Sequence, residues 1–317
     1  MSQAHPRCAV IGAANIDIGG FPSGPLVPKD SNPGRVVLSS GGVGRNIACG
    51  LARLGVETHL VAALGADDFA GIIRAACERA GMALDLAFTF PDAASSAYLY
   101  VADGAGDMVA AVNDMGVCGR LTPEALASRL DALNAMDAVV LDANLPEDTL
   151  VWLAGNLTVP LIADAVSAAK APRLLPILSR LAVLKPNDLE AQALTGIEVR
   201  DPESAMAAAR KLTALGAGRV FVTLGGRGVV CAEGERAEHV PRPVLPGQPP
   251  IVSATGAGDA FTAALAWARL TRPELPMGDA AILGMAAAAL AMASPETVNP
   301  DMTADAVLRL AEPLLSL

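Results

Sequence analysis

Four short stretches of the chain combine small residues with a carboxylate or an amide at spacings that could do chemistry. The sharpest is Thr255-Gly256-Ala257-Gly258-Asp259, which runs straight into a helix-like segment over residues 260–270. Small residues let a backbone turn tightly, and a helix start adds the positive end of its dipole. The N–H groups of Gly256, Ala257 and Gly258 could therefore form an anion hole with Asp259 beside it. The plainer alternative is a carboxylate that only stabilises the helix start. A second stretch, Ser40-Gly41-Gly42-Val43-Gly44-Arg45-Asn46, also leads into a helix-like pattern. Gly41 and Gly42 would let a ligand approach the backbone, and Asn46 offers both a donor and acceptors; a glycine-rich turn with a helix cap would read the same way. It has no Walker lysine, and its spacing does not fit the dinucleotide fingerprint. In Lys185-Pro186-Asn187-Asp188-Leu189-Glu190, Asn187 and Glu190 share a helix face and could hold a hydrated Mg²⁺ or orient a phosphate. The same two residues also spell a capping box, and Lys185 could be phosphate support or a solvated surface charge. Last, Val222-Thr223-Leu224-Gly225-Gly226-Arg227-Gly228 reads as a strand ending in a glycine turn. Such strand ends often meet nucleotide phosphate in α/β sheets; a simple hairpin before residues 229–231 is the alternative.

Alternating elements position these stretches. Residues 8–14, 59–64, 138–142, 160–163, 181–184 and 219–223 read as strands. Residues 46–54, 67–80, 123–133, 188–194, 202–215, 258–270, 279–293 and 304–314 read as helices. This alternation predicts an α/β fold with a mainly parallel sheet between helices. Two regions break it: residues 16–39 have strand-like pieces and turn residues, and residues 95–113 read as a hairpin around Asp103-Gly104-Ala105-Gly106. Together they could form a small second sheet, either a lid or an ordinary surface hairpin.

Composition excludes several classes. The 317 residues are 52% hydrophobic and carry a net charge of −10, too apolar for disorder and too acidic to bind a nucleic-acid polymer. Mean hydropathy is +0.43, but the longest apolar run, residues 280–293, is mostly Ala and too short to span a bilayer. Three histidines exclude a multi-His metal site, and neither His59 nor His239 sits in a triad motif. Five scattered cysteines without metal-ligand spacing, and no signal-peptide pattern over the first seven residues, give the expectation of reduced thiols in a cytoplasmic protein.

Taken together and in order, the four stretches resemble the PfkB family of carbohydrate and nucleoside kinases. Ser39-Ser40-Gly41-Gly42-Val43-Gly44-Arg45-Asn46-Ile47-Ala48 resembles the family's first signature. Ala254-Thr255-Gly256-Ala257-Gly258-Asp259-Ala260-Phe261 resembles its second. Asn187 and Glu190 match its N-x-x-E motif, residues 225–228 its nucleotide loop, and Gly12-Ala13-Ala14-Asn15-Ile16-Asp17 its start. The resemblance implies one ribokinase-like three-layer α/β/α domain with a small β lid from segments near 16–39 and 95–115. It also implies ATP-dependent phosphorylation of a sugar hydroxyl. Asp259 would be the base and Gly256, Ala257 and Gly258 the anion hole. Asn15, Asp17, Gly41, Gly42, Asn46 and Asn113 would meet the substrate. Lys185, Asn187, Thr223, Gly225, Gly226, Gly228 and Asn299 would face ATP, with Mg²⁺ held through water by Asn187 and Glu190. Family relatives often hold a monovalent cation with an Asp where this chain has Ser253, so cation activation of that kind is in doubt.

A narrower set of matches resembles the pseudouridine kinase branch: Ala14-Asn15-Ile16-Asp17, Asp30-Ser31-Asn32-Pro33-Gly34, Gly41-Gly42-Val43-Gly44-Arg45-Asn46-Ile47-Ala48, Val112-Asn113-Asp114-Met115 and Asp164-Ala165-Val166-Ser167-Ala168, where that branch has Pro in place of Ala165. Pseudouridine, phosphorylated at its 5′-hydroxyl, is the implied substrate. Ribokinase, another nucleoside kinase, or a non-catalytic sugar- or nucleotide-binding regulator on the same fold are the alternatives. Lid edges that pair readily make a homodimer the expected assembly.

Overall fold

A computed structural model describes residues 5–104 and 107–316. Ala105 and Gly106 of the expected hairpin turn, and the first four residues of the chain, lie outside the described residues.

The main sheet has eight strands. From one edge they run Arg236–Val240, Val229–Glu233, Arg219–Thr223, Leu181–Lys185, Leu161–Asp164, Ala138–Asp142, Arg7–Ile11 and Glu57–Val61. The six from Arg219–Thr223 to Glu57–Val61 are parallel, and the first two form antiparallel pairs at the edge. Their interiors are almost wholly apolar because both faces are covered. Val10, Val140, Ile162 and Phe221 enter one core with the helices Val43–Arg53, Ala257–Thr271 and Met277–Ala291. Ile11, Leu141, Ala163 and Val222 enter the other with Glu147–Asn156, Asp188–Thr195 and Pro202–Ala214. The result is the expected three-layer α/β/α arrangement. The alanine-rich run is the buried helix Met277–Ala291, and a β-carbon on Gly284 would stand 2.6 Å from the Phe261 ring of the neighbouring helix. Among the described residues, no helix is long and apolar enough to cross a membrane.

The second sheet has four strands in the order Gly34–Gly41, Asn15–Pro22, Ala97–Ala102, Met108–Asp114. The outer pairs are antiparallel and the middle pair is parallel.

Several elements differ from expectation, and one strand was not expected at all. The first strand stops at Ile11 instead of residue 14, because a β-carbon on Gly12 would overlap the Asp142 carboxylate, and the chain then leaves for the small sheet at Asn15. Residues 123–133 form two short helices, Pro123–Ala127 and Leu130–Asn134. Between them the Ser128 hydroxyl donates to the Ala125 carbonyl at 2.9 Å and the Arg129 N–H to Leu126, tightening the turn. The charged strand Arg236–Val240 has no apolar alternation to announce it.

Candidate active site

Three neighbouring parallel strands end in a polar residue: Asp142, Asp164 and Lys185 stand in register at their carboxyl-terminal ends. Open α/β sheets bind their ligands at this edge. All three are nearly inaccessible, at 0%, 2% and 5% exposed. A buried charge must be paired or hydrogen-bonded: Asp164 and Lys185 pair with each other, and Asp142 is held by backbone hydrogen bonds. Asp164 Oδ2 accepts from Lys185 Nζ at 2.8 Å and from Thr262 Oγ1 at 2.6 Å, and its Oδ1 accepts the Val166 N–H at 2.9 Å. Asp142 Oδ2 accepts the N–H groups of Ala13 and Gly44, each at 2.8 Å, and Oδ1 that of Asn144 at 2.9 Å. Asp142 thereby clamps the turn before the small sheet to the start of helix Val43–Arg53.

Asp259 lies in the first turn of helix Ala257–Thr271, which no side chain caps. Gly256, just before it, has φ 79° and a β-carbon there would overlap the Thr297 carbonyl, so this turn requires glycine. The Asn46 amide donates to Asp259 Oδ2 at 2.8 Å. Arg45 fixes that amide's orientation by donating to Asn46 Oδ1 at 3.0 Å. The Lys185 ammonium lies 3.4 Å from where a β-carbon on Gly258 would stand. Burial, with the negative charges of Asp164 and Asp142, pushes the Asp259 carboxyl up to about 7, against the Asn46 hydrogen bond and the Lys185 charge. A carboxyl so placed is matched to proton abstraction near neutral pH. Burial pulls the Lys185 ammonium down, but Asp164, Glu190 and Asp259 outweigh it and hold it above its ordinary value.

The small sheet presents Asp17. The Asn15 amide donates to Asp17 Oδ1 at 2.7 Å, and burial raises this carboxyl against that bond and the charge of Arg45. Gly41 faces Asp17 Oδ2 so closely that a β-carbon would overlap it, and Gly42, at φ 97°, has the Ala13 carbonyl where its β-carbon would be. Ser39, Asp17, Tyr98 and Asn113 are directly paired across the sheet and so share one face. Ser39, Asp17 and Tyr98 line a cleft of about 980 Å³ between the small sheet and the main body.

On the other side of Lys185, Asn187 caps helix Asp188–Thr195 with a full capping box. Glu190 Oε2 accepts the Asn187 N–H at 2.8 Å and Oε1 the Asn187 amide at 3.0 Å. Burial raises the Glu190 carboxyl, opposed by Lys185. Thr223 is bridged to Asn187 at the next strand end. Beyond it Gly225 and Gly226 leave open space where β-carbons would be, whereas a β-carbon on Gly228 would overlap the Val240 carbonyl. The hairpin and the glycine turn are thus one feature.

Asp259, Gly258, Asn46 and Lys185 therefore come together, as do Asn187, Glu190 and Thr223. Two expected residues stand apart from these groups. Asn113 is exposed on the edge strand of the small sheet. Asn299 is buried, donating to the Leu290 carbonyl at 2.7 Å and accepting the Asp301 N–H at 2.9 Å. The sequence reading assigned no role to Asp142 or Asp164; the available signal was a carboxylate ending a wholly apolar strand.

Comparison with known proteins agrees with this geometry. The model of the pfkB family carbohydrate kinases matches residues 5–304. The pseudouridine kinase of Escherichia coli is 32% identical over 306 residues, covering 96% of each chain. A carbohydrate kinase from Agrobacterium tumefaciens superposes with a TM-score of 0.84 at 32% identity, over 97% of each chain. Arabidopsis thaliana ribokinase complexed with ribose and ATP does so at 0.87 and 25%, over 97% of this chain and 99% of that one. With the ribokinase-like fold, the two glycine signatures and the family match over nearly its whole length, the chain belongs to the pfkB family of carbohydrate kinases, phosphotransferases with an alcohol group as acceptor.

Proposed function

We propose that the chain transfers the γ-phosphoryl group of ATP to the 5′-hydroxyl of a ribose-containing nucleoside, and that pseudouridine is its substrate. The observation that carries the phosphoryl-transfer reading is the Asn46–Asp259 hydrogen bond of 2.8 Å, which joins the glycine loop beside the small sheet to the uncapped helix start. Its support for pseudouridine is the 32% identity to a pseudouridine kinase over 96% of both chains.

Asp17 accepts two ribose hydroxyls, with Gly42 and Asn46 completing that grip; a site so built discriminates against deoxy analogues. Asn15 and Asn113 read the base, and the small sheet acts as a lid that excludes water once substrate is bound. Asp259 takes the proton of the attacking hydroxyl, and the N–H groups of Gly256, Ala257 and Gly258 stabilise charge on the transferred group. Lys185 adds a fixed positive charge beside them. Thr223, Gly225, Gly226 and Gly228 line the ATP side, and Asn299 holds the end of helix Met277–Ala291 behind it. The oxygen donors of Asn187 and Glu190 fit Mg²⁺, which usually binds through one or two carboxylates, phosphates and water. Both Glu190 oxygens already accept cap hydrogen bonds, so water-mediated contact suits this pair. Bound there, Mg²⁺ would neutralise phosphate charge. Ser253, whose hydroxyl accepts the Thr255 N–H at 3.2 Å, supplies no carboxylate for a monovalent cation, and we propose that turnover does not require one.

Asp259→Asn is expected to lower kcat by about 10²–10⁴-fold with ATP binding retained. Near-normal turnover would remove Asp259 as base. ADP release over ribose, adenosine, uridine and pseudouridine tests the substrate. Strong ribose turnover with none on pseudouridine would overturn the nucleoside assignment and leave the kinase intact.

A further inference from the structure

The cleft extends past Asp17, and one arm of it carries arginines of which only Arg45 serves the site already described. Its volume of about 980 Å³ lies at the upper end for small-molecule sites, ~300–1,000 Å³. Arg45, Cys49 and Arg53 recur every fourth residue on helix Val43–Arg53, so one stripe of the helix lines the cleft. Arg79, in the last turn of helix Asp68–Arg79, and Arg35 of the small sheet line the same cleft. Asp17 and Glu296 are the carboxylates that line it too. In a chain of net charge −10, four arginines thus converge on one cavity.

Two of them have neutral partners: Arg45 donates to the Ser40 carbonyl and to Asn46 Oδ1, each at 3.0 Å, and the Arg35 guanidinium lies 4.3 Å over the Phe21 ring. Among the described residues, no carboxylate lies within ion-pair distance of any of the four. Arg45 is 9% exposed, and its Nε is buried with no hydrogen-bond partner, as is the Nε of Arg53. An arginine in the last helical turn is favoured by the helix dipole, which explains having Arg53 and Arg79 there. It does not explain burying an Nε–H without an acceptor, which costs free energy. A guanidinium offers donors only, in a planar fork. A neutral uracil edge alternates carbonyls with N–H groups and matches that fork poorly, whereas a carboxylate or phosphate offers acceptors alone and matches it well.

We infer that the arm of the cleft from Arg45 to Arg53, with Arg79 and Arg35 at its mouth, is an anion subsite. Beyond a neutral nucleoside in its inner part, the enzyme accepts, and prefers, ribose-containing substrates bearing a carboxylate or phosphate on the side remote from the phosphorylated hydroxyl. Asn46, beside Asp259, and Arg53 are seven residues apart on the helix, which sets that separation at roughly 10 Å. The inference rests on the proposed use of this cleft for the phosphoryl acceptor.

The test compares uridine with 5-carboxymethyluridine in wild type, in Arg53→Lys and in the Arg53→Gln/Arg79→Gln double variant, reading kcat/KM by ADP release. Wild type should favour the carboxylate by about tenfold or more, with the preference falling as salt rises. The double variant should lose it while pseudouridine turnover stays within about twofold, and Arg53→Lys, keeping charge but not the fork, should fall between. Arg79→Gln alone, at an exposed position, removes half of the pair without threatening the fold. Equal kcat/KM for the two nucleosides in wild type, or a preference unmoved in the double variant, overturns the proposal. Calorimetric titration with inorganic phosphate separates the sources. Arginine-dependent phosphate binding without any preference between the nucleosides would assign the arm to a free anion and overturn the substrate-borne part. Failure of every ribose-containing acceptor would instead sink the substrate reading, while arginine-dependent phosphate binding would still locate the subsite.

Discussion

The main sheet and the small sheet each contribute a carboxylate to the site, and they hold it in opposite ways. Asp142, at a parallel strand end, is wholly buried and accepts three backbone N–H groups. Asp17, on the small sheet, is half-buried and accepts from one side-chain amide. The surroundings differ likewise. The strand Ala138–Asp142 is buried at every residue, whereas Met108–Asp114 is exposed at every residue. One half of the site is therefore fixed by a fully buried strand of the core. The other has few buried contacts, the condition for local opening at low cost. Asp259 sits at the seam: its helix packs on the main sheet, and its carboxylate is tied through Asn46 to the glycine loop that leads out of the small sheet. A kinase needs both properties, a rigid reacting centre and a cover that opens for substrate.

The comparison breaks first at Asp164. Asp164→Ala leaves the buried Lys185 ammonium without its ion-pair partner and the Thr262 hydroxyl with only the Gly258 carbonyl at 3.2 Å. Removing one partner of a buried ion pair costs about 3–5 kcal/mol, so the urea midpoint should fall steeply. Replacing both partners, as in Asp164→Leu/Lys185→Met, should recover part of that stability because no charge stays unpaired. If Asp164→Ala unfolds at the wild-type midpoint, the strand-end row is not the rigid half.

Asp259 gives the next effect, and its sign is specific. Its carboxyl is raised from 3.8 to about 7 in the folded chain. Between those values the folded state holds a proton that the unfolded state has released. Stability therefore falls as pH rises from about 4 to about 7, and the full penalty stands above 7. Asp259→Asn removes the charge. It should melt higher than wild type at pH 8, by a margin that shrinks towards pH 4. Since the ionised form is the base, wild-type kcat/KM should rise about tenfold per pH unit below 7 and flatten above it. Equal melting of both proteins across that range would show that the site does not strain its own base.

How much of this was legible in the sequence follows from the range of each constraint. The glycine signatures were readable because their demand is local: a turn at positive φ, or a backbone pressed on its neighbour, accepts little else. The Asn187–Glu190 capping box was readable because its partners lie three residues apart. Asp142 and Asp164 were not, since each holds a group 98 or more residues away and a lone carboxylate at a strand end does not announce such a partner. The arginine stripe was hidden for a related reason. Its four-residue period was in the sequence, but an amphipathic surface helix has the same period, and only the cleft beside it separates the two.

The face of the small sheet opposite Asp17 gives the smallest effect on the monomer and the sharpest contrast with the core. Leu38, Ile18, Leu99 and Val112 are directly paired across it, and Leu38, Leu99 and Val112 are 49%, 44% and 67% exposed. We propose that a second copy of the chain covers this face, which would make the small sheet part of a homodimer. Val112→Lys should change the unfolding free energy of the isolated chain by no more than about 0.5 kcal/mol, as expected of an exposed position. In a dimer the same lysine would enter an apolar contact. Light scattering should then show the wild-type mass halved in the variant, and melting should lose its dependence on protein concentration. A wild-type protein that scatters as a monomer at about 50 μM would leave this face to solvent, and the open half of the site would then owe its order to substrate alone.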